Sequence, residues 1–141
     1  MTENLIVGKQ PPREGAVTWT EEMLFDLFPN LAERRNNRGK ALSGGEQQML
    51  TIARTLMGNP SFVLLDEPSE GVAPFIVEQM VRVIQQLKSE GLTVLLSEQN
   101  LHFAQAVADL VVIIESGVQV YHGTLKDLNA HPEIRDAYLA A

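Results

Sequence analysis

Two adjacent carboxylates, Asp66 and Glu67, follow the apolar run Phe62-Val63-Leu64-Leu65, which Pro60 precedes. An uninterrupted apolar run of this length predicts a β-strand that is buried on both faces, as in the middle of a parallel sheet. Both carboxylates would then lie at the carboxyl end of the strand, where α/β sheets bind ligands. Such a pair can serve phosphate chemistry, because one carboxylate can hold Mg²⁺ while the other orients or deprotonates an attacking water.

A second stretch, Ser43-Gly44-Gly45-Glu46, has the composition of a helix start that can hold an anion. Ser43 and Glu46 form a capping-box pattern, so a helix is predicted to begin at Gly44. The first N–H groups of a helix lack intrahelical partners, and the helix dipole adds positive potential at that end. The glycine pair alone is more often a loop, and the carboxylate pair alone is more often a solvated turn. Here the glycine pair begins a predicted helix that leads into the strand before the carboxylate pair, and this combination favours a functional site.

The spacing of apolar residues predicts the elements that position these groups. Apolar residues at intervals of three to four predict an amphipathic helix from Gly44 that stops at Gly58-Asn59-Pro60. Thr93-Val94-Leu95-Leu96 predicts a second buried strand, which would deliver Ser97-Glu98-Gln99-Asn100 to the same sheet edge as Asp66. Strands that alternate with helices predict an α/β fold, with a mainly parallel sheet and an antiparallel edge. The apolar positions of the helix are Met49, Leu50, Ile52, Ala53, Leu56 and Met57.

Caps and turn residues predict the remaining elements. A Thr18-x-x-Glu21 capping box predicts a helix that ends at Pro29. Pro74 is expected in the first turn of a helix that continues to Ser89. The other predicted elements are a helical or short apolar segment at Met1 to Gly8, a short helix from Leu101, a hairpin of Leu110 to Glu115 and Val118 to His122, and short helices after Thr124 and over Pro132 to Leu139.

Length and composition limit the possible function classes. The 141 residues fit one domain with a modest core. Lys and Arg number 11 against 18 Asp and Glu, and the net charge of -7 argues against a nucleic-acid-binding surface. The absence of cysteine excludes a disulfide framework and thiol chemistry. The longest apolar runs fall far short of the about 20 residues that a spanning helix needs, so a membrane role is expected to be peripheral.

The stretch Leu42-Ser43-Gly44-Gly45-Glu46-Gln47 resembles the signature motif of ATP-binding cassette (ABC) ATPases, and Phe62 to Glu67 resembles their Walker B strand with its catalytic glutamate. Gly-Glu-Gln-Gln-Met-Leu, Asp-Glu-Pro-Ser-Glu-Gly-Val-Ala-Pro and Leu-Leu-Ser-Glu-Gln-Asn are most similar to the ATPase subunits of branched-chain amino acid importers. The resemblance covers nearly the whole chain. It implies a partial P-loop NTPase fold, with helices on both faces of a mainly parallel sheet and an α-helical subdomain.

The resemblance also implies a division of the chain and a set of site residues. Residues 1–58 are expected to form the helical subdomain and signature helix, residues 59–122 the Walker B and switch half of the core sheet, and residues 123–141 the carboxyl-terminal helices. Asp66 would hold Mg²⁺, and Glu67 would polarise the attacking water. Contacts to the γ-phosphate of ATP held by an opposite subunit are expected from Ser43, Gly44, Gly45 and Gln47.

Gln99 stands where most cassettes of this class have a histidine that senses the γ-phosphate. Glutamine can hydrogen-bond to the phosphate but does not titrate near neutral pH, so no histidine-like pH step is expected from this position. Ala73 likewise stands where an aspartate is usual, which puts the usual route of subunit-to-subunit signalling in question.

No stretch of the sequence matches the phosphate-binding loop Gly-x-x-x-x-Gly-Lys-Ser/Thr. The resemblance therefore implies the carboxyl-terminal part of an importer ATPase, with Met1 at an internal position of the parent and little ATP hydrolysis by this part alone. Implied cofactors are ATP and Mg²⁺. Implied partners are a second ATPase subunit, membrane permease subunits and, indirectly, a solute-binding protein, with no nucleic acid. The implied location is cytoplasmic, peripheral on the inner face of the cell membrane.

Other functions remain open from the sequence. They are a non-transport cassette in DNA repair or translation, a non-catalytic module that lends its signature motif to a full-length partner, and a truncated reading frame without a function of its own. Urea or other amides are alternative solutes to branched-chain amino acids. A missing sheet half would leave the apolar faces at Phe62 to Leu65 and Thr93 to Leu96 short of cover, which predicts low stability or self-association.

Overall fold

The computed structural model describes residues 1–139, which divide into a compact unit over Met1–Glu98 and a second unit that begins at Gln99. The helices are α1 Thr2–Gly8, α2 Glu21–Leu27, α3 Pro29–Glu33, α4 Gly44–Leu56, α5 Pro74–Ser89, α6 Leu101–Val107, α7 Leu125–Ala130 and α8 Pro132–Leu139, and a 3₁₀ turn spans Gly39–Ala41. The strands are β1 Phe62–Asp66, β2 Thr93–Ser97, β3 Leu110–Glu115 and β4 Val118–Thr124.

The first unit contains a parallel sheet in which β1 pairs with β2, and α5 connects the two strands. The register runs from Phe62 opposite Thr93 to Asp66 opposite Ser97. Both strands therefore end at one edge, as the sequence predicts. This edge, formed by Asp66 and Ser97, is called the carboxyl edge below.

The two strands are buried on one face only, so the prediction of burial on both faces is wrong for this structure. Val63 and Leu65 point into the core, whereas Phe62, Leu64 and Leu95 are 51%, 62% and 54% exposed. Side chains alternate along a strand, so an apolar run supplies two apolar faces even where only one is covered. The second face of the two strands is therefore largely exposed, in line with the expected lack of cover over Phe62 to Leu65 and Thr93 to Leu96.

We expect this open apolar face to make the chain self-associate, because an exposed strand face of this kind attracts other copies. Leu64→Lys places a charge at its centre and should shift the chain toward monomer in sedimentation velocity. Val7→Lys, on an exposed apolar residue of α1 that is 78% exposed, is the matched control and should leave association unchanged. A wild-type chain that is monomeric at micromolar concentration would contradict this expectation.

The core of the first unit is formed around α4 and α5. All six apolar residues predicted for the first of these helices are buried, and α4 packs against α1 and α3. Asn59 then closes the segment after α4. Its φ is 51°, and its buried side chain accepts a bond from Trp19 N–H and donates to the Gln10 and Pro11 carbonyls. The buried face of α5 consists of Met80, Val83, Ile84 and Leu87.

The helix starts follow capping rules, with one correction. Ser43 and Glu46 form the predicted capping box at Gly44, and Pro74 occupies the first turn of α5 as predicted. The cap of α2 is Thr20 rather than Thr18, since the Thr20 hydroxyl accepts a bond from Met23 N–H. The first helical residue is already Glu21, so only the residue directly before it can reach the unpaired N–H groups of the first turn.

The second unit contains the predicted hairpin, in which β3 and β4 are antiparallel. These strands form a separate two-stranded sheet, so the prediction of an antiparallel edge on the parallel sheet is wrong for the described residues. Ser116 and Gly117 both have positive φ, 49° and 80°, which is the backbone of a two-residue hairpin turn with matching twist. Thr124 caps α7 by accepting a bond from Asp127 N–H, as predicted. Among the described residues, no helix is both long and apolar enough to cross a bilayer.

Candidate functional site

The carboxyl edge carries the two predicted catalytic carboxylates. Asp66 is opposite Ser97 in the register and is exposed, and the N–H of the half-buried Glu67 donates to the Ser97 carbonyl oxygen at 2.8 Å. Since that bond fixes the backbone of Glu67 directly after the strand, both carboxylates are held at the edge where α/β folds bind their ligands.

Glu67 has a left-handed backbone conformation, with a φ of 42°. This region is unfavourable for a residue with a Cβ, and the following Pro68 further restricts the backbone of Glu67. The other non-glycine residues with positive φ in the described chain are Asn59 and the turn residue Ser116, where such a conformation is common. A strained residue of this kind persists when surrounding contacts hold it, and such residues cluster at functional sites.

We expect Glu67→Gly to be more stable than Glu67→Ala by about 1 kcal/mol, because glycine adopts positive φ without a steric cost. Glu70, in the same loop and without positive φ, is the matched control. Its alanine variant should be at least as stable as its glycine variant. Denaturant unfolding of the four variants measures both differences, and an alanine at 67 as stable as the glycine would contradict the strain.

A hydrogen-bonded clamp joins the loop after β1 to the end of β2. The Ser69 hydroxyl donates to Glu98 Oε1 at 2.6 Å, and the Ser69 N–H donates to Glu98 Oε2 at 3.4 Å. Ser69 is buried, so this contact holds the loop behind Glu67 in one place. The sequence analysis did not single out this pair. The available sequence signal for this contact was that Ser69 follows one predicted strand and Glu98 follows the neighbouring parallel strand.

The amino end of α4 is fixed by reciprocal bonds between Ser43 and Glu46. Ser43 N–H and Ser43 Oγ donate to Glu46 Oε2 at 2.8 and 2.9 Å, and Glu46 N–H donates to Ser43 Oγ at 3.4 Å. Arg34 Nε pairs with Glu46 Oε1 at 2.9 Å. Gln47 Nε2 donates to the Leu42 carbonyl at 2.9 Å. The Ser43 hydroxyl therefore donates its hydrogen bond to Glu46 in this structure. A phosphate at the amino end of α4 would compete with Glu46 for that hydrogen bond.

The same contacts lower the pKa of Glu46. The bond from the Ser43 backbone N–H is the largest cause, partial burial opposes it, and the Ser43 hydroxyl and the Arg34 charge lower the pKa further. A carboxylate that is stabilised in its charged form also strengthens the amino end of α4, because it faces the positive end of the helix dipole.

A carboxyl group with a lowered folded-state pKa stabilises the protein above its unfolded pKa, and that stability is lost as the pH falls through the folded value. We therefore expect the melting-temperature difference between wild type and Glu46→Gln to be constant above about pH 5 and to shrink below the ordinary glutamate value of about 4.3. Thermal melts from pH 3 to pH 7 measure it, with Glu115→Gln in the exposed hairpin as control. A difference that is independent of pH would contradict the assigned cause.

The two glycines at the start of α4 have different surroundings. A Cβ on Gly45 would meet two Ile76 carbons at 3.1 Å and Val72 Cγ1 at 3.3 Å, whereas a Cβ on Gly44 would meet nothing within 4 Å. Gly45 therefore allows α4 to pack closely on the start of α5 and on the loop after Glu67. Gly44 instead presents open backbone on the side where an anion can approach.

The structure groups the predicted residues in three places. Asp66 and Glu67 lie at the carboxyl edge, and the amino end of α4 carries Ser43, Gly44, Gly45 and Gln47. Gln99 begins the second unit. Asp66 offers one exposed carboxylate to a metal ion, and among the described residues no cluster of three or more potential metal-ligating side chains is present. Such a donor fits Mg²⁺, which typically takes one or two carboxylates and completes its shell with water and substrate phosphates.

Known proteins match both the sequence and the fold. The ABC transporter family model matches residues 22–70. The high-affinity branched-chain amino acid transport ATP-binding protein BraG of Pseudomonas aeruginosa is 48% identical over 118 residues, which cover 84% of this chain and 51% of that protein. The lipopolysaccharide export system ATP-binding protein LptB of Escherichia coli K12 is 38% identical over 74% of this chain and 44% of its own length. The chain thus spans about half the length of these relatives.

Solved structures give the same result. A nucleotide-free ATP-binding cassette from an ABC transporter matches with a TM-score of 0.73 and 25% identity, over 96% of this chain and 61% of that one. A cassette in its ADP conformation matches with a TM-score of 0.68 and 26% identity, over 99% and 56%. These matches confirm the predicted partial P-loop NTPase fold. The chain is therefore similar in sequence and in fold to the ATP-binding cassettes of ABC transporters.

Proposed function

We propose that this chain forms part of the ATP-binding and ATP-hydrolysing subunit of an ABC importer that takes up branched-chain amino acids. The observation that carries the proposal is the parallel register of β1 and β2, which holds Asp66 and Glu67 together at the carboxyl edge. The solute class is supported by the 48% identity to BraG, compared with 38% to LptB and 35% to the L-cystine transport system ATP-binding protein TcyN.

In ATP hydrolysis, the two carboxylates and Gln99 would each have a separate role. Asp66 would hold Mg²⁺, which when bound neutralises charge on the phosphates. Glu67, with its backbone fixed by the bond to Ser97, would orient the attacking water and accept its proton. Gln99 would hydrogen-bond to the γ-phosphate without a change of charge near neutral pH.

The amino end of α4 would bind the γ-phosphate of an ATP molecule held by a second ATPase subunit. Gly44 leaves the backbone N–H groups open, Gly45 sets the position of the helix against α5, and Ser43 can turn its hydroxyl from Glu46 to the phosphate. Gln47 holds the Leu42 carbonyl and thereby the segment that leads into the helix. Two subunits arranged head to tail would then enclose the nucleotide between them.

The remaining partners and the location are part of the same proposal. The subunit would act on membrane permease subunits at the inner face of the cell membrane, with a solute-binding protein as an indirect partner. Residues 1–58, 59–122 and 123–141 would form the helical subdomain with the signature helix, the Walker B and switch half of the sheet, and the carboxyl-terminal helices. Without a phosphate-binding loop in its 141 residues, the chain alone would not hydrolyse ATP appreciably.

A second candidate function uses only the amino end of α4. The complete capping box and the open Gly44 backbone lie within the first unit and require no other part of a cassette. The chain could therefore act as a non-catalytic module that lends this surface to the ATP of a full-length cassette.

Association with purified BraG tests the shared element of both candidates. The chain should bind BraG in the presence of Mg²⁺ and a non-hydrolysable ATP analogue, and should release it when ADP replaces the analogue. Equal binding with either nucleotide, or no binding with the analogue, would contradict the nucleotide-sandwich proposal.

A further inference from the structure

An ion pair joins the turn after α3 to the amino end of α4. Arg34 Nε lies 2.9 Å from Glu46 Oε1, and the other oxygen of the same carboxylate accepts bonds from the N–H and the hydroxyl of Ser43. The Glu46 carboxylate thus connects the guanidinium of Arg34 to the hydroxyl that is proposed to bind a phosphate. Helix capping does not account for Arg34, because Ser43 and Glu46 complete the capping box without it.

Backbone bonds on both sides of Arg34 hold it in this position. Its N–H donates to the Leu31 carbonyl at 3.1 Å, and its own carbonyl accepts a bond from the Asn37 N–H at 2.8 Å. Leu31 is buried, and α3 packs against α4. The Arg34 side chain therefore reaches Glu46 from a segment that is itself fixed on α4.

The two partners of the ion pair differ in exposure. The side chain of Glu46 is 12% exposed, and that of Arg34 is 49% exposed. The pKa of Glu46 is lowered, chiefly by the bond from the Ser43 N–H and also by the Arg34 charge, so the carboxylate is charged at neutral pH. The amino end of α4 therefore carries a negative charge beside the proposed phosphate position. Without a compensating cation, this charge would repel a phosphate group.

Phosphate binding would make this compensation more important. If the Ser43 hydroxyl turns to the phosphate, Glu46 loses one of its hydrogen bonds while a second anion approaches it. Arg34 pairs with the other carboxylate oxygen, so it can stay in place during this exchange. The helix dipole adds positive potential at the same end, but both anions would share it.

We propose that Arg34 is a positioning residue for the amino end of α4. It neutralises Glu46 and thereby allows Ser43 to exchange this carboxylate for the γ-phosphate of ATP on a second subunit. The inference rests on the proposed nucleotide sandwich. It adds that the association depends on the summed charge of residues 34 and 46, and not on the presence of Arg34 as such.

Dissociation constants for BraG loaded with Mg²⁺ and the non-hydrolysable ATP analogue test this role. Arg34→Gln leaves the pair with a net negative charge and should weaken association of the full chain about fivefold. The double variant Arg34→Gln, Glu46→Gln restores the summed charge of wild type, and glutamine can still accept the bond from the Ser43 N–H. Its association should return to within about twofold of wild type, because the charge balance is the same.

Arg35→Gln is the matched control. It removes the same charge from the neighbouring exposed residue, which forms no ion pair with the residues that the structure describes. Its association should stay within about twofold of wild type, because exposed charges are screened by salt. Arg34→Gln should melt within about 4 °C of wild type, since ion pairs with an exposed partner contribute little to stability.

Three results would overturn the role of Arg34 alone. They are an Arg34→Gln chain that binds like wild type, a double variant that binds no better than Arg34→Gln, and a melting temperature that falls much further than expected. Loss of a merely structural contact is not reversed when a second charge is removed. In these cases, abolished association of Ser43→Arg would leave the nucleotide sandwich standing. A wild-type chain that does not bind loaded BraG would overturn the sandwich and this inference together.

Discussion

Glu67→Gln should lower Mg²⁺-dependent ATP hydrolysis about 10²- to 10⁴-fold, the usual contribution of a positioned general base. The appropriate assay is a chimera in which the matching 118 residues of BraG are replaced by those of this chain, because the relative then supplies the rest of the cassette. Glutamine keeps the size and hydrogen-bonding reach of Glu67 but cannot accept the proton of the attacking water. Nucleotide binding should therefore remain while the chemical step is lost.

Two controls show whether the loss of hydrolysis is specific to the carboxylate of Glu67. Glu115→Gln changes a carboxylate in the exposed hairpin of the second unit and should leave the hydrolysis rate unchanged. ATP binding by the Glu67→Gln chimera, measured by equilibrium dialysis, should match that of the unmodified chimera. A variant that retains at least half of the hydrolysis rate would show that another group accepts the proton.

Ser43→Arg should abolish the ATP-dependent association of the chain with BraG. The arginine side chain would fill the space in which the γ-phosphate is expected, and it would also remove the cap that accepts from Glu46 N–H. Loss of such a cap costs about 1 kcal/mol of stability, which is far less than the loss of the association. Analytical ultracentrifugation with the non-hydrolysable ATP analogue measures the complex directly.

Gly44→Ala separates loss of binding from loss of folding. Its Cβ meets nothing within 4 Å, and alanine is favoured over glycine in a helix by about 1 kcal/mol, so the variant should be at least as stable as wild type. The added methyl group would nevertheless stand on the open side of the helix start and weaken the association. Ser43→Arg and Gly44→Ala chains that both bind BraG like wild type would exclude this end of α4 as a phosphate site.

The loop from Glu67 to Ala73 links the two parts of the proposed site. Ser69 holds it to Glu98 at the end of β2, and Val72 lies against Gly45 at the start of α4. Because Val72 packs closely against Gly45, a displacement of the backbone at Glu67 would move the start of α4 as well. This arrangement gives a physical route between the two carboxylates and the amino end of α4.

Local signals in the sequence were sufficient for most elements. The capping box at Ser43, the proline that opens α5 and the Ser116-Gly117 turn each depend on neighbouring residues alone, and all three were predicted correctly. The common edge of Asp66 and Ser97 also followed from the order of strands and helices, since parallel strands end on the same side.

The predictions that failed depended on surroundings that a sequence pattern does not specify. The run Phe62 to Leu65 is apolar at every position, but only the structure shows that one of its faces is open. Thr18 and Thr20 are both candidate caps before Glu21. Because α2 begins at Glu21, the cap is Thr20, which directly precedes it. Local propensity gives no sign of the positive φ of Glu67. The clamp between Ser69 and Glu98 is a tertiary contact, and the sequence indicates it only through the position of each residue after one of two neighbouring strands.

ATP hydrolysis by the BraG chimera that carries the unmodified residues of this chain tests the catalytic roles of Asp66 and Glu67. If Asp66 and Glu67 are the working carboxylates of a cassette, the chimera should hydrolyse ATP in a Mg²⁺-dependent manner at a rate within about tenfold of BraG itself, a loss of no more than about 1.4 kcal/mol in transition-state stabilisation. A chimera that folds and binds ATP but does not hydrolyse it would contradict the assignment of these residues to catalysis.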